Sequence, residues 1–392
     1  VSQVATKGIL ALAIVAGLAG TAFAGGFSRG DADTDLIYED GAFNMRTGVL
    51  YVVPHRGFDT IGGAAATDSD YTNNYGIPSF GAKLRVSDRF SCVGSYTQPF
   101  GASSDYGPQS QMADIMVDIA SGRTPNAVKS AGFETNEYGA TCGVNMEAGS
   151  GKAWLLGGVF VQDFDYTEVK TLGTLNLRDK GAAGYRIGAA YEIPEYALRA
   201  ELMYRSQIDI DAEGTFRNAV PLPTPIPGVF VPVGTPFAST GSGALPQSVE
   251  LSLQSGIAPG WLAYGSVKWT DWSVLQTLDY TITGIGPNTK DFFWRDGWTV
   301  QGGIGHAFTD DISGTVSLTW DRGVGTGADI MTDTWTVGAG TQIKAGPGAL
   351  RLGGAVSYLT SGSQSVSDGA SFDATAGGDW AYAFGGSYTI KF

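Results

Sequence analysis

The end of the chain alternates. Trp380, Tyr382, Phe384, Gly386, Tyr388, Ile390 and Phe392 occupy every second position, with Ala381, Ala383, Gly385, Ser387, Thr389 and Lys391 between them. Successive side chains of an extended strand point to opposite faces. This segment therefore carries one aromatic, apolar face and one small, polar face. The pattern returns upstream. Trp298, Val300, Gly302 and Ile304 interleave with Thr299, Gln301 and Gly303, and Ile312, Val316, Leu318 and Trp320 with Ser313, Thr315, Ser317 and Thr319. A chain written in period two from about Ala42 onward folds as sheet, which excludes a helical bundle.

Alternation fits a soluble sandwich as well as a barrel, and three features select a transmembrane barrel. Trp261, Trp298, Trp320, Trp335 and Trp380 cluster at segment ends on the apolar face, as in interfacial girdles. Connections alternate short and long. The terminal Phe392, with apolar residues two, four and eight positions before it, resembles the end signature of bacterial outer-membrane barrels. The segments number fourteen: about 42–54, 76–87, 89–100, 130–147, 152–170, 180–193, 196–211, 247–258, 260–283, 291–308, 312–323, 332–345, 348–360 and 379–392. Long connections, 171–179 among them, belong outside the cell and short turns on the periplasmic side. The expected fold is all-β, a fourteen-stranded antiparallel transmembrane barrel over residues 42–392.

Residues 1–24 read as an export signal: Lys7, an apolar run from Ile9 to Ala19, then Ala22-Phe23-Ala24 as the cleavage site. An exported chain with two cysteines, Cys92 and Cys142, can bridge them or bury two thiols. The strand count makes their strands antiparallel neighbours, and both lie near the periplasmic ends on the apolar face, which favours the bridge. The formal net charge of −14 and the lack of a basic stripe exclude a nucleic-acid partner.

Catalytic and metal chemistry have little to stand on. His306 falls on the outer face near a strand end and His55 starts the first outer loop, so neither supports a triad. Asp31-x-Asp33-x-Asp35 resembles a calcium loop, but Leu36 stands where the turn glycine belongs and no Glu closes it. Neither a metal nor a cofactor is expected, and the protein is not read as an enzyme.

Three features suggest traffic in apolar molecules. No residue from Asn218 to Val249 is charged, and the loop there, including Ile226 and Phe230, is stiffened by Pro221, Pro223, Pro225, Pro227, Pro232 and Pro236. An exposed apolar patch marks a binding surface. In the second outer loop, Met112, Ile115, Met116 and Ile119 fall at helical spacing with Asp114 and Asp118 opposite. That stripe suits promiscuous apolar ligands or a small core under the loop. Residues 25–41 carry Phe27, Leu36, Ile37 and Tyr38, too apolar for a free tail, and are expected to form a short hatch inside the lumen.

The stretch Leu245-Pro-Gln-Ser-Val-Glu-Leu…Ala-Pro-Gly-Trp261…Lys268-Trp-Thr-Asp-Trp-Ser-Val-Leu resembles a signature of the FadL-type long-chain fatty-acid transporters. Tyr204-Arg-Ser206 and the Pro-Leu-Pro-Thr-Pro-Ile-Pro run resemble the strand and the fourth outer loop of that family. The resemblance implies a hatch, a capture groove between outer loops, an internal ligand pocket and a lateral exit at a kink in the third strand. Gln98-Pro99-Phe100-Gly101 stands at the position of that kink. The family's Asn-Pro-Ala hatch motif is absent; Tyr38-Glu-Asp-Gly-Ala-Phe-Asn occupies its region.

The expected function is passive uptake of long-chain fatty acids or other hydrophobic compounds by a monomer surrounded by outer-membrane lipid. A general porin for small polar solutes is the alternative, and a surface adhesin a third class. A carboxylate entering a low-dielectric lumen needs a cation. Alternation points Arg186, Arg205, Lys268 and Glu250 inward, with Glu201 and Asp209 completing a charge ladder, and Arg205 is the first choice for the head group.

Overall fold

The computed structural model describes residues 25–392; the expected export signal lies outside the described residues. Twenty hydrogen-bonded segments form one sheet. Six pairs of them are the two halves of one interrupted strand, so the wall has fourteen antiparallel strands. These are β1 (Phe43–Pro54), β2 (Tyr75–Ser87), β3 (Phe90–Thr97 and Gly101–Asp105), β4 (Val128–Glu134 and Glu137–Ala148) and β5 (Gly151–Lys170). Next come β6 (Gly173–Ile193), β7 (Leu198–Arg205 and Ile208–Asn218), β8 (Pro236–Leu245 and Ser248–Ala258) and β9 (Trp261–Thr270 and Thr277–Ile282). The last five are β10 (Gly286–Asp291 and Gly297–Ala307), β11 (Ile312–Asp321), β12 (Thr334–Ala345), β13 (Gly348–Leu359) and β14 (Asp379–Lys391).

β14 pairs with β1 from Asn44↔Lys391 to Pro54↔Ala381, which closes the barrel and leaves no free edge. The alternation sets the two faces. Ser313, Thr315, Ser317 and Thr319 of β11 are buried toward the interior, while Ile312, Val316 and Leu318 are exposed on the outside. Trp261, Trp298, Trp335 and Trp380 are exposed at the strand ends, where an amphipathic ring suits a membrane–water boundary. Cys92 of β3 faces Cys142 of β4 in register, and the two are bridged.

Three local expectations are corrected. The connection expected at 171–179 shrinks to residues 171–172, because β5 and β6 stay paired out to Val169↔Thr174, with a register shift between Asp179 and Ala182. Asp209 is exposed and points out. β7 breaks between Arg205 and Ile208, and the break reverses the parity, so Ile208, Ile210 and Ala212 face inward beyond it. The helix α1 (Pro108–Ala120) forms as the spacing demands but presents the opposite face. Asp114 and Asp118 are buried, and Met112, Met116 and Ile119 are exposed. The reason is the backbone beneath it: Asp114 accepts from the Val128 N–H and Asp118 from the Asn126 N–H, anchoring the start of β4. Ala113 and Val117 supply the apolar contact instead.

Over the mouth, four short strands, Thr60–Ile61, Ala64–Ala65, Gly362–Gln364 and Ala374–Ala376, pair into a second sheet. Phe58, Ile61, Ile330 and Phe372 pack beneath it as a small core.

Candidate functional site

The N-terminal segment fixes the geometry of the interior. Its side chains bond to strands on several sides of the barrel. Lys268 of β9 reaches Asp31 (2.8 Å), and Tyr38 Oη donates to Glu201 of β7 (2.6 Å). Arg46 of β1 contacts Asp33 (3.0 Å), Asp35 (2.8 Å) and Glu39 (2.7 Å). Leu36 and Ile37 are fully buried against Val93, Trp154 and Leu156. At its start, Phe27 sits in an aromatic cluster with Phe133, Trp272, Phe292 and Trp294, ring centroids 4.5–6.0 Å apart.

The same segment meets the break in β3. The Arg29 N–H donates to the Pro99 carbonyl (2.8 Å), the Gly30 N–H to Gln98 (3.0 Å), and the Gly101 N–H to Phe27 (3.0 Å). Proline has no N–H to give a ladder, and its ring restricts the residue before it, so a strand interrupts here. Above the break, the upper half of β3 pairs with β4. The upper residues of β2, Tyr75 to Ser79, pair with β1. Between these two strand halves no ladder forms among the described residues, and only the isolated bridge Thr72↔Ser104, just ahead of β2, joins them at the outer end. Phe100 turns inward and is buried, and its backbone N–H and carbonyl are both met by the Thr135 hydroxyl.

Beside this gap lies a cavity of about 720 Å³. Ligand pockets commonly run from about 300 to 1,000 Å³. Phe133, Phe164, Tyr166, Leu177, Leu278 and Phe292 line its wall, and Tyr71, Tyr106 and Phe372 roof it from the outer loops. Phe27 and Gly101 also line it. A second cavity, about 90 Å³, is polar and bordered by Asp31, Pro99, Glu137, Glu201 and Glu250 together with Arg186, Arg205 and Lys268.

The residues singled out from the sequence thus fall into three places. Phe27 and Gly101 reach the large cavity; Arg186, Arg205, Lys268, Glu250 and Pro99 border the small one. Leu36 and Tyr38 pack against the wall in a separate cluster with Trp154. Met112, Ile115, Met116, Ile226 and Phe230 line neither cavity, and all but Ile115 stand exposed on the outer loops. A short hairpin, Leu222–Pro223 against Phe230–Val231, holds the proline-rich loop out as an apolar surface.

The charges of the small cavity answer one another. Glu137 accepts from Arg186 and from Arg205 (2.9 Å), and Arg205 also reaches the Gln162 amide oxygen (2.7 Å). Arg205 lies 4.4 Å above the Phe160 ring and 5.1 Å from that of Phe100. Against a desolvation that would raise it, the Lys268 ammonium holds the half-exposed Asp31 carboxyl below the usual carboxylate range. Sequence reasoning missed most of the large cavity's lining, including Tyr71, Tyr106, Phe372, Arg29 and Lys290. Aromatic residues placed in otherwise polar loops were the available signal.

A closed barrel with an apolar cavity beneath its outer loops and a peptide segment across its lumen is the architecture of an outer-membrane β-barrel with an internal site of ligand size. Its sequence matches the outer membrane protein transport protein family (OMPP1/FadL/TodX) over residues 12–313, and the chain belongs to that family of the bacterial outer membrane. It is 22% identical over 273 residues to a long-chain fatty acid transport protein of Escherichia coli O6:H1, a match spanning 64% of this chain and 60% of that one. It is 30% identical over 146 residues to the long-chain fatty acid transport protein of Salmonella typhi, 32% of this chain and 33% of that one. These alignments leave more than a third of each relative unmatched. The fold is shared with a Pseudomonas aeruginosa FadL homologue (TM-score 0.69, 16% identity, 97% and 98% of the chains). It is shared too with the Pseudomonas putida toluene transporter TodX (TM-score 0.62, 13% identity, 97% and 98%).

Proposed function

We propose that this barrel takes up hydrophobic small molecules, long-chain fatty acids in the first instance, by passive diffusion down a concentration gradient. The observation that carries the reading is the large apolar-walled cavity set beside an interrupted wall and above a self-neutralised charged cluster. Residues 25–41 act as the hatch. An apolar ligand moving straight down would have to displace buried ion pairs, and unpairing a buried charge costs several kcal/mol. The gap at Gln98–Gly101 offers a route into the apolar membrane without that cost. Capture would begin on the exposed apolar loop surfaces that carry Ile226, Phe230, Met112 and Met116. In this reading Arg186, Arg205, Lys268 and Glu250 close the lumen. A porin for polar solutes needs an open polar lumen, which the hatch and its partners fill.

Proteoliposomes test this. Barrels reconstituted into vesicles should speed entry of radiolabelled hexadecanoate while leaving vesicle swelling in arabinose at the protein-free rate. Swelling at porin-like rates, with no gain in hexadecanoate entry, would overturn the reading.

A further inference from the structure

Five cations border the large cavity, and three are paired with carboxylates: Arg56 with Asp379, Arg123 with Asp118 and Lys170 with Glu168. Arg29 and Lys290 have no ion-pair partner among the described residues. Lys290 is partly exposed, so water can serve it. Arg29 is different. It is 8% exposed, and its Nε is buried with no hydrogen-bond partner. A guanidinium withdrawn from water with its Nε–H unmet is costly. Its place is nonetheless built. The guanidinium lies over the Tyr75 ring, 4.0 Å from the centroid. On the side of β3, Gly101 leaves the room: a Cβ there would stand 2.6 Å from the guanidinium carbon. The main chain of Arg29 is tied to the Pro99 carbonyl. The slot therefore joins the upper part of β2, the break in β3 and the cavity wall, where the barrel ladder is missing.

We propose that Arg29 reads the anionic head of an amphiphilic ligand and holds it at the wall opening. This rests on the hydrophobic-uptake reading and names which ligands the opening distinguishes. A carboxylate in the cavity would take the free Nε–H and a neighbouring Nη–H as a planar, two-bonded pair, the geometry for which guanidinium is suited and ammonium is not. The Tyr75 face can stay in place, since stacking uses the plane and the carboxylate uses the edge. Because Arg29 belongs to the N-terminal segment, a bound head group would pull on the peptide that spans the break. A neutral hydrocarbon would pass the same opening without engaging it.

The test compares two ligands of one length. Calorimetric titration of the detergent-purified barrel at pH 8 with hexadecanoate and with hexadecan-1-ol gives the affinities. Arg29→Met should weaken hexadecanoate binding about 10-fold or more, the range for a charge-assisted bond, and change hexadecan-1-ol binding less than about 2-fold. Arg29→Lys should recover part of the loss. Gly101→Ala keeps the charge but pushes the guanidinium out of its slot, and should also lose discrimination between the two ligands. Retained heat-dependent gel mobility verifies that each variant is folded. Equal losses for both ligands, or no loss in Arg29→Met, would overturn the assignment while leaving uptake standing. A wild-type barrel that binds neither ligand would overturn both.

Discussion

Asp329 lies in the wall of the large cavity, on the outer loop between β11 and β12. One carboxylate oxygen accepts from the Trp294 indole N–H (2.8 Å); the other is buried without a partner. Burial pushes its carboxyl up from 3.8 to about 7, with the Trp294 bond and Lys290 opposing. The protonated acid is therefore the form the folded barrel prefers. The stability it contributes is complete below pH 4 and is lost as the pH rises through about 7. Asp329→Asn removes that dependence. Urea midpoints of wild type and Asp329→Asn should lie closest at pH 5, and the variant should gain on wild type at pH 8; parallel midpoints would refute it. At this scale the sequence was partly legible. Period two placed Arg186 and Arg205 on the inner face, where they are. It could not supply their shared partner, because Glu137 lies 49 and 68 residues away and meets them only through the side-by-side pairing of β4, β5, β6 and β7. Asp329 and Arg29 belong to segments without a period, so no pattern aimed them.

Elements were legible where burial is one-sided. Strands that separate lipid from lumen have to alternate, and every expected strand forms, although β3, β6, β7, β8 and β10 run 5 to 11 residues further toward the outer loops than expected. The breaks were harder: Pro99 and Pro246 announce those in β3 and β8, while those in β4, β7, β9 and β10 contain no proline. The helix α1 shows the remaining limit. Its 3.6-residue period is plain, but which face is buried is decided by the backbone N–H groups that Asp114 and Asp118 satisfy. This predicts an inverted mutational profile. Met112→Ser with Met116→Ser should shift stability by no more than about 0.5 kcal/mol, as for exposed sites away from special features. Asp118→Ala should cost about 1–3 kcal/mol, since it orphans the Asn126 N–H and releases Arg123. Chemical denaturation in detergent distinguishes the two, and a larger loss from the Met pair would restore the reading of a core under the loop.

Across the whole molecule, the base of the barrel and the N-terminal segment are one electrostatic unit. Arg46 holds Asp33, Asp35 and Glu39; Arg351 (3.3 Å) and Lys391 (3.2 Å) add to Glu39, and Lys83 reaches its carbonyl. β1, β2, β13 and β14 thereby grip a peptide that joins none of their ladders. Arg46 is the hub, touching three carboxylates at once. In Arg46→Ala, Glu39 keeps Arg351 and Lys391 while the partly exposed Asp33 and Asp35 lose their only ion-pair partner among the described residues, a loss below the roughly 3–5 kcal/mol of a fully buried stranded charge. The fourteen-strand ladder does not depend on this contact, so the loss should fall on the seating of the segment and not on barrel closure. In planar bilayers the wild-type protein should show little ion conductance, and Arg46→Ala should show discrete openings while keeping its heat-dependent gel mobility. Arg46→Lys, which preserves the charge but not the three-way fork, should fall between. A silent Arg46→Ala channel would mean that the aromatic cluster around Phe27 and the main-chain bonds to Gln98–Gly101 hold the segment without the ionic base.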